Sequence, residues 1–289
     1  MISYAQNQED VFLARVFGLE SAGFYIDIGA CHPTIDSVTK HFYDQGWTGI
    51  NVEPVPQMFE KLQSARPRDI NLNLAVSNTP GETQLHICPD ALVLSTLAQD
   101  VASEINEAGV KTETVTIEAK PLKQIVADHI AEEQTVHFMK IDVEGHEKEV
   151  IESIDFEQCR PQVLLIEATK PRTRITNHEN WEPLVLAADY EFANFDGLNR
   201  YYVRHENKEL VEPLSQPISC FDKYFRYAQV VQINWIRHQM QNALASDDPA
   251  QVAKILEFMS ALEKSPQWLV ESPAFLGSRL TEFLNAPKS

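Results

Sequence analysis

Over the first two thirds of the chain, short apolar runs alternate with amphipathic stretches. FYIDI (24–28), TGINVE (48–53), DINLNLAV (69–76), VHFMKIDV (136–143) and QVLLIEA (162–168) are too continuously apolar for half-exposed strands, so they predict strands buried on both faces. The stretches 34–45, 56–65, 121–131 and 146–153 between them carry helical spacing. Strand and helix in alternation predict a mostly parallel α/β sheet. TQLHI (83–87) and TETVTIEA (112–119) predict a further strand pair bracketing a polar excursion over about 89–110. YEFANF (190–195) and LNRYYVR (198–204) meet at Asp196-Gly197, a hairpin signal that predicts an antiparallel finish to the sheet.

From residue 228 onward the pattern is helical only. Val230, Ile233, Ile236, Met240 and Ala243 form one stripe, and Val252, Ile255, Met259 and Leu262 a second. Asp248 suits a helix N-cap and Pro249 the first helical position between them. The expected organisation is therefore one domain over 1–227 and a helical extension over 228–289. Two such helices are marginal alone. Trp235, Met240, Phe258, Met259 and Trp268 give the extension an apolar face that predicts packing on the domain, on a second copy (a homo-oligomer) or on another protein.

Charge narrows the classes of partner. The chain has 24 Lys+Arg against 42 Asp+Glu, a formal charge of −18. Residues 228–289 hold 5 basic and 6 acidic side chains, so nearly all of that charge lies in the first 227. A phosphate backbone or an anionic membrane surface would be repelled, so neither nucleic acid nor membrane is expected as a partner. The first ten residues turn polar and acidic and no long apolar run follows, which predicts no signal peptide, no spanning helix and a cytoplasmic location. Cys31, Cys88, Cys159 and Cys220 show neither a CxxC pair nor a disulfide framework.

Candidate chemistry lies at the strand ends. YIDIGACHP puts Asp27 and Gly29 at the carboxyl edge of the first predicted strand of the sheet, where open α/β sheets bind ligands. A dinucleotide site wants G-x-G-x-x-G so that a pyrophosphate can approach bare backbone. Here Gly29 is followed by Ala30, Cys31, His32 and Pro33, which argues against an NAD-dependent oxidoreductase. S-adenosylmethionine carries a ribose and a sulfonium but no phosphate, so a single glycine and acidic neighbours suit it. Glu53 closes the next strand, where a carboxylate can accept both ribose hydroxyls.

The strand 136–143 ends in Lys140, Asp142, Glu144, His146 and Glu147. Alternation along a strand puts Lys140, Asp142 and Glu144 on one face before Gly145 permits a turn. Charges at the end of an apolar strand are costly unless used or paired, so Asp142 and Glu144 are candidate catalytic groups. Lys140 is a partner for Asp142, and His146 is a candidate proton acceptor. Glu147, Lys148 and Glu149 read as a solvated first helical turn. Glu167 ends the next strand, so Asp142 and Glu167 form a candidate divalent-metal pair, with a metal-free site that hydrogen-bonds the acceptor as the alternative.

FMKIDVEGHEKEVI (138–151), together with SYAQNQEDVFL (3–13), YIDIGACHPTIDSVTKHFYDQGWTGINVEP (25–54) and NFDGLNRYYV (194–203), resembles the FkbM-type methyltransferases. The resemblance covers roughly residues 3–226. It implies a Rossmann-like methyltransferase sheet and S-adenosylmethionine-dependent O-methylation, often of a saccharide or glycan. It also implies donor contacts from Gln6, Asp27, Gly29, Ala30, Ser37 and Glu53, and a glycosyltransferase as a partner for the C-terminal helices. Many members have Asn-x-Gly after the first Gly-Ala, where this chain has Cys31-His32-Pro33. The reading from another class is a non-catalytic interaction module built on the same sheet.

Overall fold

The computed structural model describes residues 1–171, 173–245 and 249–264. The chain begins β1 (Ile2–Ser3), α1 (Glu9–Phe17), β2 (Phe24–Ile28), α2 (Lys40–Asp44), β3 (Thr48–Val52), α3 (Pro56–Ala65) and β4 (Ile70–Leu72). It continues through β5 (Ala75–Val76), β6 (Gly81–Ile87), α4 (Gln99–Glu107), β7 (Glu113–Lys120) and α5 (Leu122–His129). β8 (Phe138–Ile141), α6 (Glu147–Glu152), β9 (Val163–Glu167), α7 (Glu182–Ala187), β10 (Tyr190–Phe195), β11 (Asn199–Arg204) and α8 (Val211–Ser215) follow. β12 (Phe225–Arg226), α9 (Tyr227–Ala245) and α10 (Pro249–Lys264) end the described chain.

Seven strands form one sheet in the order β10-β11-β9-β8-β2-β3-β4. The neighbours from β9 to β4 are parallel, and β11 and β10 run antiparallel. Successive residues of the central strands feed opposite cores. Ile26, Ile50, Met139 and Leu164 belong to one apolar cluster, and Tyr25, Phe138, Val163 and Leu165 to another. Burial on both faces explains why the runs read as continuous rather than alternating. The mixed α/β architecture with a mostly parallel sheet agrees with expectation.

Two predicted elements differ. DINLNLAV is interrupted, because the Asn73 side-chain amide donates to the carbonyls of Glu53 and Pro54 (2.8 and 3.1 Å). β4 stays in the large sheet while β5 joins β7 and β6 in a three-stranded one. The predicted helix over 34–45 starts only at Lys40. His32 Nδ1 accepts the N–H groups of Thr34 and Ile35, and Asp36 adopts φ +55°.

Residues 5–222 form one structural unit. Met1–Tyr4 group instead with the described residues from Lys223 onward. There β1 pairs in parallel with β12, and the Tyr4 and Tyr227 rings lie 5.0 Å apart. Along the two helices Phe258 is buried, whereas Ile233 and Leu256 are exposed. Asp248, Trp268 and the side chains of Ile236, Met240, Ala243, Ile255, Met259 and Leu262 lie outside the described residues. Among the described residues no helix is long and apolar enough to cross a membrane.

Candidate active site

The ends of β2, β3, β8 and β9 open into a cavity of about 370 Å³, within the ~300–1,000 Å³ usual for small-molecule sites. On its β2–β3 side the backbone is held tightly. Gly29 and Ala30 donate to the Val52 carbonyl at 3.0 and 3.1 Å. Gly29 has φ +77°, and a Cβ there would lie 1.9 Å from the Asp142 carbonyl oxygen, so only glycine fits. Glu53 is buried; its Oε2 accepts the Cys31 N–H and its Oε1 the Val55 N–H, both at 2.7 Å. Burial pushes this carboxyl up to about 7, against the pull of those two N–H groups. Each oxygen accepts one backbone bond and retains a further lone pair.

Gly29, Ala30, Glu53 and Gln6 line the cavity. Leu74, Val76, Leu85, Leu92 and Leu97 give it an apolar wall. The predicted excursion over 89–110 is therefore part of the site, since Leu92 to Leu97 form one side of it. Asp27 and Ser37 do not line the cavity. Asp27 is buried below it, where its Oδ2 accepts the Thr39 hydroxyl at 2.9 Å and its Oδ1 lies 3.4 Å from Lys140 Nζ. Ser37 Oγ accepts from Arg66 Nη2 at 3.0 Å in a buried network with Tyr25 and Asp69. The pleat of β2 turns Asp27 into the scaffold, and the loop before α2 does the same for Ser37.

Lys140 joins this edge to the acidic one. Its ammonium donates to the Gly29 carbonyl at 2.6 Å and lies 3.2 Å from Asp142 Oδ2. Burial would lower its pKa, but Asp142 and Asp27 outweigh burial and raise it, so the lysine is a permanent cation. β8 ends at Ile141, with the Asp142 N–H on the Ile28 carbonyl at 3.1 Å. Glu144 does not continue the strand alternation. It sits at φ +53° with Gly145 at +97°, and its carbonyl accepts the Thr96 hydroxyl at 2.8 Å. A left-handed turn, rather than the pleat, delivers Glu144 to the cavity.

Glu147 also departs from expectation. It is buried, and its Oε1 accepts the N–H groups of Gly145 (3.0 Å) and Val143 (3.3 Å), holding the loop that carries Asp142 and Glu144. Burial raises this carboxyl to about 7. His146 does not line the cavity; its Nε2 lies 3.2 Å from Ser77 Oγ and its Nδ1 3.5 Å from Glu149. Burial lowers its pKa, with Glu149 opposing.

Asp142, Glu144 and Glu167 come together at the cavity, with one oxygen from each within 4.8 Å of the others. Glu167 is 7 % exposed, and neither its Oε2 nor Glu144 Oε2 has a hydrogen-bond partner. Burial, then Asp142 and Glu147, push Glu144 up to about 8. Burial and then Asp142 and Glu144 raise Glu167 well above the usual carboxylate range. Acids perturbed by burial and by each other, in a cleft, mark a functional site.

Asn199 and Arg200, next to the hairpin turn, pair with acids outside the cavity lining. Asn199 Nδ2 donates to Glu9 Oε1 at 2.9 Å, and Arg200 Nη2 to Glu182 Oε1 at 2.7 Å. Trp181 is core, edge-on to Tyr202. In the loop after β9, Lys170 and Arg174 are exposed while Thr173 lines the cavity; Arg172 lies outside the described residues.

The arrangement brings together, at one cavity, a buried glutamate after β3 and a group of three carboxylates after β8 and at the end of β9. The model of the methyltransferase FkbM domain matches residues 27–192. No curated protein matches the chain significantly. That match spans β2 to β10, with both edges of the cavity inside it, and the chain belongs to the FkbM methyltransferase family.

Proposed function

We propose that the protein transfers a methyl group from S-adenosylmethionine to a hydroxyl oxygen of a saccharide. The observation that carries this reading is the single cavity with two unlike edges, one bearing Glu53 and the other Asp142, Glu144 and Glu167, tied together through Lys140. The donor supplies, when bound, an electrophilic methyl on a sulfonium. Glu53 has lone pairs left for two ribose hydroxyls, and the leucine-rich wall suits the adenine. Three carboxylates are acceptor-only groups when ionised, and hydroxyl-rich sugars are what such groups bind. This edge holds the acceptor hydroxyl and receives its proton as the oxygen–carbon bond forms and the carbon–sulfur bond breaks, the electron pair staying on sulfur. Because that proton moves late, orientation supplies most of the rate.

The test is a titration of S-adenosylhomocysteine and of NAD, followed by incubation with labelled donor and a panel of saccharides. The expected outcome is that S-adenosylhomocysteine binds, that NAD does not, and that label is found on a glycan oxygen. Asp142→Asn should lower turnover by about 10²–10⁴ while donor affinity stays within a few-fold. Binding of NAD alone, or neither ligand binding, would overturn the reading.

A further inference from the structure

We propose that Asp142, Glu144 and Glu167 hold one divalent hard cation, and that this ion, together with the same carboxylates, binds two neighbouring hydroxyls of the acceptor. The second half rests on the methyl-transfer reading above; the first does not. The three residues come from two loops that need not have met. Asp142 and Glu144 lie in the turn after β8, and Glu167 ends β9. One oxygen of each lies within 4.8 Å of the other two. An ion with oxygen bonds of ~2.0–2.6 Å spans about 4–5 Å between opposite ligands, so the separation matches one cation in the middle.

The acids alone would not make a site. The independent observation is Glu167 Oε2, a carboxylate oxygen on a side chain 93 % buried that faces the cavity with no hydrogen-bond partner. An orphaned buried acceptor is rare in a folded protein and calls for a ligand. Glu144 Oε2 is orphaned in the same way. Among the described residues Lys140 is the cation that touches this group, and it serves the Gly29 carbonyl, Asp27 and Asp142 rather than Glu144 or Glu167. All the ligand atoms are oxygen, which selects magnesium, manganese or calcium over the softer zinc or copper. Three protein oxygens leave about half of an octahedral shell open. Adjacent hydroxyls of a sugar fill such positions, while each acid keeps its second oxygen for hydrogen bonds.

Chelator-treated full-length protein titrated with Mn²⁺ and followed by the free-ion paramagnetic resonance signal is expected to bind one ion per chain. Mg²⁺ should compete for it. Glu167→Gln and Asp142→Asn should each weaken the site by at least about tenfold. S-adenosylhomocysteine is titrated into the same samples as a measure of fold and of donor binding. Protein that binds S-adenosylhomocysteine but shows no saturable Mn²⁺ site, or Mn²⁺ binding equal in both variants and the wild type, would overturn the inference. A stoichiometric site lost in both variants supports it even where S-adenosylhomocysteine fails to bind, in which case it is the methyl-transfer reading that falls.

Discussion

Glu53 and Glu167 are both buried glutamates at the carboxyl ends of parallel strands in the same sheet, and both face the same cavity. Glu53 has each oxygen on a backbone N–H, one from Cys31 in the loop after β2 and one from Val55 in its own, whereas Glu167 Oε2 has no partner. The first acid is part of the structure before any ligand arrives, and the second is not. A buried carboxylate that is fully bonded stabilises the loop it bonds to. One left unpartnered costs stability and persists where a ligand repays it.

The comparison can be broken at the residue that joins the two edges. Lys140→Met removes the bond to the Gly29 carbonyl and leaves Asp27 and Asp142 without their shared cation. We expect a loss of about 3–5 kcal/mol, the scale for stranding a buried charge, read as a lowered urea midpoint with S-adenosylhomocysteine affinity falling in parallel. A variant as stable as the wild type would mean that the edges are independent.

A matched pair of substitutions sharpens it. Glu53→Gln turns an amide donor toward one of two backbone N–H groups and should cost about 1–3 kcal/mol, along with donor affinity. Glu167→Gln costs Oε2 no hydrogen bond and replaces an acid whose ionisation burial, Asp142 and Glu144 oppose. Its urea midpoint should stay at or above that of the wild type. Equal losses in the two variants would erase the distinction between bonded and unbonded acids.

The smallest effect is in pH. Glu144 and Glu9 have folded-state pKa values near 8, burial being the first cause in each, against 4.5 when unfolded. The folded protein therefore holds protons that the unfolded chain releases, so stability falls as pH rises toward 8. Burial lowers His32, His41, His137 and His146, so these four do not oppose that trend above pH 7.5. Between pH 7.5 and 8.5 chelated protein should lose about 1 kcal/mol, measured by thermal melts, and Glu144→Gln should remove about half of that slope.

What the sequence disclosed and what it concealed divide along the same line. Buried strands and their order are written in apolar runs, so β2 over 24–28 and α3 over 56–65 follow the pattern to the residue. Asp196-Gly197 does what its composition says, with Asp196 Oδ1 accepting the N–H groups of Leu198 and Asn199. Side-chain direction beyond a strand end is not written there. Alternation fails at Glu144 because the backbone turns left-handed there, three residues past Ile141, the last residue of the strand. Glu147 looked solvated because acids favour a first helical turn, yet the loop before it offers two N–H groups that draw it inward. Asp27, Ser37 and His146 do not line the cavity, a placement set by packing rather than by residue type.

The hydroxyl of Thr96 on the carbonyl of Glu144 links two parts of the chain that arose from different architectural needs. β6 and β7, with the segment between them, lie outside the seven-stranded sheet, so they can lengthen, shorten or drift without disturbing the register that holds Gly29 and Glu53. Through Thr96 that freedom reaches the turn carrying Asp142 and Glu144, and through Leu85, Leu92 and Leu97 it reaches the apolar wall of the same cavity. A change of length in this appendage is therefore felt at the site from two sides while the seven-stranded sheet keeps its register.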